Sequence, residues 1–90
     1  MAMVKLLKLD ILKPHKPNAL DFASSLAEVH DELEVTLTVT EVDEKTESAE
    51  VLLQGPDIHF ELVSSRIKEM GGSIHSIDKV KVVASQAVKS

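Results

Sequence analysis

The sequence predicts an α+β sandwich of the ferredoxin-like, βαββαβ kind: a four-stranded antiparallel sheet with two helices on one face. Three observations predict it. Four segments alternate in hydropathy with a period of two, and two others carry apolar residues at helical spacing. The breaks between segments are rich in Pro, Gly, Asp and Asn. The two middle alternating segments are separated only by a short polar stretch, which reads as a hairpin, whereas helical segments separate the outer strands from this pair. That order is the split βαβ pattern, and the spatial strand order expected for it is fourth, first, third, second.

Each element has its own signal. Val4 to Leu12 reads as the first strand, with Leu7, Leu9 and Ile11 alternating with Leu6, Lys8 and Asp10. Both sides are partly apolar, as suits a central strand. "KPHKPN" breaks it, because Pro14 and Pro17 cannot continue a ladder. Asn18 is a good N-cap for a helix over Ala19 to Glu32. Leu20, Ala23 and Ala27 form one stripe of that helix and Phe22, Leu26 and Val29 the next, together a wide apolar face. Glu34 to Val42 is the clearest strand: Val35, Leu37 and Val39 point one way, Glu34, Thr36, Thr38 and Thr40 the other. "DEKTES" turns the chain, and Ala49, Val51 and Leu53 mark the third strand, opposite Glu50, Leu52 and Gln54. After "QGPD", Ile58 to Met70 reads as the second helix, with Phe60, Val63, Ile67 and Met70 inward and Asp57 or His59 as cap. Gly71 and Gly72 stop it, where a left-handed residue is wanted. Ile74 to Ala84 is the last strand. Its imperfect alternation predicts a bulge, and "SQAVKS", about 85–90, reads as a tail.

Composition narrows the function classes. The 90 residues suit one domain over 1–90, and a core that small gains from subunit association. Aromatic content is 2%, so the core is aliphatic. A net charge of −5 and an open sheet face without aromatics argue against nucleic acid. Lys5, Lys8, Lys13 and Lys16 read as a set of solvated lysines. Cysteine is absent, which removes disulfides, thiolate metal sites and cysteine nucleophiles. No apolar run approaches the length of a membrane span, and the start "MAMVKLLKLDIL" reads as a strand, not a secretory leader. A cytoplasmic protein is expected.

The topology gathers polar residues at one end. The first and fourth strands are antiparallel neighbours, so the end of one lies beside the start of the other. Asp10 and His15 then approach His75, Ser76 and Asp78, and the hairpin loop adds Asp43, Glu44, Thr46 and Glu47.

Three stretches, "LDILKPH", "EVDEKTE" and "GGSIHSID", together resemble a small archaeal family, domain of unknown function 211. They follow in the right order and spacing over nearly the whole chain. The resemblance implies a ferredoxin-like fold, a homo-oligomeric and ring-like assembly, and no established activity. Carried over by motif are Asp10, Pro14 and His15; Asp43, Thr46 and Glu47; and Gly71, Gly72, His75, Ser76 and Asp78.

Asp10, His15, His75 and Asp78 are candidate metal ligands: imidazole with carboxylate suits zinc, and carboxylate oxygens suit calcium or magnesium. The plainer alternative is a cross-strand polar pair of Asp10 and His75, with His15 capping or solvated. Asp43, Thr46, Glu47 and Ser76 are candidate ligand-binding residues; a solvated turn is the alternative for the hairpin. No nucleophile elbow or phosphate loop is present, so an enzyme is not the first expectation. The expectation is a homo-oligomer, held through exposed Leu6, Leu12 and Leu52 or the edge strand with Thr36, Thr38 and Thr40, that binds a small ligand or divalent ion in a regulatory role. The alternatives are a scaffold without ligand and a metal-dependent enzyme.

Overall fold

The computed structural model describes residues 2–84 and contains β1 (Ala2–Pro14), α1 (Ala19–Ala27), β2 (Glu34–Val42), β3 (Thr46–Gln54), α2 (Phe60–Glu69) and β4 (Ser73–Ala84). The tail expected at about 85–90 lies outside the described residues. The strands form one antiparallel sheet in the order β2-β3-β1-β4, the expected order read from the other edge. This is the ferredoxin-like arrangement.

The core is the helix-facing side of the central strands. Leu7, Leu9 and Ile11 of β1 stand opposite Leu53, Val51 and Ala49 of β3, and all six are buried. Phe22 and Leu26 of α1 and Val63 and Ile67 of α2 close over them, with Leu33 and Ile58 at the margin. The six strand residues follow from period two and the four helical ones from spacings of four.

Several boundaries differ from expectation. β1 runs on through Lys13 to Pro14, which pairs with Thr46. The β4 ladder has already ended at Leu12, so the proline interrupts no bond on that side. α1 ends at Ala27 instead of Glu32: a tight turn carries the Val29 N–H to the Leu26 carbonyl, and Glu32 takes a φ of 62°, outside a right-handed helix. Its apolar face is narrower than predicted, because only Phe22 and Leu26 are buried and Leu20 is exposed. Asn18 caps it as expected, Oδ1 accepting from the Asp21 N–H at 2.8 Å. β3 begins at Thr46, so the hairpin turn is tight, closed by the Asp43 N–H on the Thr46 carbonyl. Val35 and Leu37 of β2 are half-buried and Val39 is exposed, since this edge is only partly covered.

α2 is held at both ends by its flanks. Neither Asp57 nor His59 caps it with a side chain; instead the His59 N–H donates to Nε2 of His30 at 2.9 Å. At its end the Gly71 N–H meets the Lys68 carbonyl and the Gly72 N–H the Ile67 carbonyl, a Schellman motif with Gly71 at a φ of 85°.

The imperfect alternation of β4 has a direct cause. Its register against β1 slips between Lys8 and Leu9 and again between Asp10 and Ile11. Asp78 and His75 are the two residues left without a partner, so β4 carries two bulges. Each bulge inserts one polar residue. Ile74, Ile77 and Val80 therefore return to the helix-facing side every third residue, while His75 with Ser76 and Asp78 with Lys79 are left for the open face.

Candidate functional site

The polar residues gather as two clusters on opposite faces of the sheet. The first sits at the hairpin end, on the helix side. Lys13 continues the series Leu7, Leu9, Ile11 and is 0% exposed, so it belongs to the core and not to a set of solvated lysines. Its Nζ donates to the Pro14 carbonyl at 2.8 Å and to Glu47 Oε1 at 3.0 Å, and lies 5.5 Å from the centroid of the Phe22 ring. A buried cation needs such compensation. The other oxygen of Glu47 faces His15 Nδ1 at 2.8 Å, while His15 Nε2 faces the Glu44 carbonyl at 2.9 Å. Both ring nitrogens point at acceptors, so only the imidazolium satisfies both. The Glu47 carboxylate and then the Glu44 carbonyl hold the His15 pKa above its ordinary 6.5. Hydrogen bonds from His15 and then Lys13 hold Glu47 below its ordinary 4.5. Thr46 stands beside this cluster in register with Pro14, and Asp43 and Glu44 are exposed at the turn.

The second cluster lies on the open face. Asp10 stands opposite Glu50 of β3 and Ser76 of β4. Ser76 Oγ donates to Asp78 Oδ1 at 2.7 Å. Asp10 and His75 line a cleft of about 350 Å³ together with Leu12, Ser48, Ser73 and Ile74. A second cleft of about 240 Å³ lies on the same face, lined by Lys8, Thr36, Thr38, Leu52 and Lys79 among others, with Lys8 paired to Glu50 at 3.2 Å.

His15 thus engages Glu47 on one face, while Asp10, His75 and Asp78 lie on the other. Among the described residues no group of three or more His, Asp or Glu side chains is placed to hold a metal ion. No helix among them is long and apolar enough to cross a membrane.

A family model described as uncharacterized ArCR, DUF211, matches residues 5–89. The chain belongs to the DUF211 family. An uncharacterized protein of Methanocaldococcus jannaschii, MJ0319, is 39% identical over 77 residues, covering 86% of this chain and 79% of the relative.

Three functional-looking features of this DUF211 protein escaped sequence reasoning. Lys13 was legible: its place in the alternation puts it inward. The His30 cap on α2 joins residues 29 apart and leaves no local signal. The third is apolar. Ile77, Val80, Val82 and Val83 of the edge strand β4 are exposed, at 50%, 54%, 50% and 40%. Of the leucines expected to be exposed on the open face, Leu12 is, whereas Leu6 and Leu52 are half-buried.

Proposed function

We propose that this DUF211 protein is a self-assembling module that holds a small ligand or divalent ion at its polar end, in a regulatory and not a catalytic role. The observation that carries the reading is β4. It is an edge strand whose outer backbone groups have no partner among the described residues, and it presents Ile77, Val80, Val82 and Val83 to solvent. An edge that is both unpaired and apolar favours another chain. Pairing β4 with β4 of a second copy makes a two-fold dimer; pairing it with the β2 edge of the next copy is head-to-tail and can close a ring. Either way the open-face cleft, partly lined by β4, lies beside the contact. Calcium, magnesium or zinc is the alternative occupant to an organic ligand, with Asp10 and His75 of the cleft's lining as donors.

Native mass spectrometry of the untagged protein, before and after chelation, tests this reading. A discrete oligomer carrying a small bound mass supports it whole. An oligomer with no bound mass at any stage leaves a scaffold and removes the ligand. A bare monomer across the micromolar range overturns the assembly.

A further inference from the structure

The open-face cleft defines what it can hold, if the ligand half of the proposed function is right. We infer that it binds the ammonium head of a small organic amine or amino acid. Asp10 and Glu50 stand directly opposite each other on β1 and β3, an unfavourable placement for two carboxylates. Glu50 is relieved by Lys8 at 3.2 Å. Asp10 has no side-chain hydrogen-bond or ion-pair partner among the described residues. Asp10 lines the cleft with Ser48, Ser73 and His75, and none of these three has a side-chain partner among the described residues either. The bulge at His75 leaves this ring on the open face, beside Asp10.

The chemistry of that set is specific. An ammonium group carries three N–H donors and one positive charge. One donor suits the Asp10 carboxylate, and the other two suit the serine hydroxyls, which accept as readily as they donate. The exposed side chain of Leu12 supplies an apolar wall for a short carbon body. A bare divalent ion fits less well. The cleft's lining offers one carboxylate and one imidazole, and about 350 Å³ is at the small-molecule end of pocket sizes, far beyond a single ion. An anion would meet Asp10 unscreened, since Lys8 and Lys79 line the neighbouring cleft and Lys8 is taken by Glu50.

Isothermal calorimetry on the full chain, dialysed against chelator, decides between these occupants. The probes are n-butylammonium chloride, L-leucine and calcium chloride, each alone. Saturable binding of one n-butylammonium per chain is expected, weakened about tenfold or more in Asp10→Asn, as for loss of a charge-assisted bond. The Asn side chain keeps the shape, and an unchanged thermal midpoint without ligand shows that the fold stands. Ser48→Ala with Ser73→Ala is expected to weaken binding while sparing the carboxylate. Tighter binding of L-leucine than of the amine makes the ligand an amino acid; the reverse makes it a simple amine. No saturable heat from either, or equal affinity in Asp10→Asn, overturns the inference. Saturation by calcium alone also overturns it, while leaving the ion form of the proposed function intact. Amine binding by a protein that stays monomeric sinks only the assembly.

Discussion

At the scale of single residues, the network of Lys13, Glu47 and His15 makes stability depend on pH in a defined window. His15 has its pKa raised, so its contribution is fully present below 6.5, the unfolded value, and is lost as pH rises through the higher folded one. Glu47 has its pKa lowered, so its contribution is present above 4.5 and is lost as pH falls through the lower folded value. The two overlap between about 4.5 and 6.5. Urea midpoints of the wild type and His15→Asn should therefore differ most between pH 4.5 and 6.5 and converge as pH rises past the raised His15 value; a difference that stays constant would show that the imidazolium contributes nothing. Lys13 is a sharper case, because its side chain is fully buried. Lys13→Ala removes both the packed stem and the cation, and is expected to lower stability by about 3 kcal/mol, the order found on breaking buried ion pairs. Lys13→Met keeps the stem against Phe22 and leaves Glu47 its His15 partner, so denaturant melts should place it well above the alanine variant.

At the scale of elements, the fold was legible wherever period and punctuation agreed. β2 begins and ends at the expected residues, and Asn18, Gly71 and Gly72 act as the local rules require. The last strand was readable only as irregular. Two polar insertions turn a period of two into a period of three, and no local rule says which residues lose their partners. The placing of His15 failed for a related reason. Topology brings it to the right end of the sheet, but the Pro14 exit sends its ring to the Glu47 side, and one face of a sheet is invisible from the other. The tight α2–β4 junction gives a prediction at this scale. A Cβ on Gly72 would stand 3.0 Å from Ile67 Cγ2, 3.2 Å from the Leu12 carbonyl oxygen and 3.2 Å from Phe22 Cζ. Gly55 has more room, with its nearest neighbour at 3.4 Å. Gly72→Ala should cost about 1–3 kcal/mol by overpacking, and Gly71→Ala about 1–2 kcal/mol by strain at positive φ. Gly55→Ala should be much milder. Thermal unfolding of the three variants checks the order, and a Gly72→Ala variant as stable as Gly55→Ala would contradict the close packing.

At the scale of the molecule, the two layers do not match in length. The helices have 9 and 10 residues, about 14–15 Å at 1.5 Å per residue. β1 has 13 and β4 has 12, about 40 Å at 3.3 Å per residue. Two short helices cannot cover that sheet. The surplus shows where β1 and β4 run on beyond β3: the β3 ladder reaches Leu6, but Ala2, Met3 and Val4 still pair with Ala84, Val83 and Val82. Val82 and Val83 of β4 lie on this run-on, and Val80 and Ile77 extend the exposed edge inward from it. Covering the open half of one valine is worth about 1 kcal/mol. Three such valines and the similar open half of Ile77, on each of two copies, give about 8 kcal/mol, which the lost freedom of association, about 4–15 kcal/mol, can cancel. Apolar contact alone therefore does not hold two copies together, and backbone pairing along the β4 edge must add to it. The double variant Val80→Lys with Val82→Lys should then abolish association while leaving a folded monomer, because both side chains are half-exposed in the single chain. Light scattering behind size exclusion reads the mass. The thermal midpoint should rise with concentration for the wild type and stay fixed for the variant, as mass action demands. A wild-type midpoint independent of concentration, with the mass of a monomer, would mean that these valines serve no second copy.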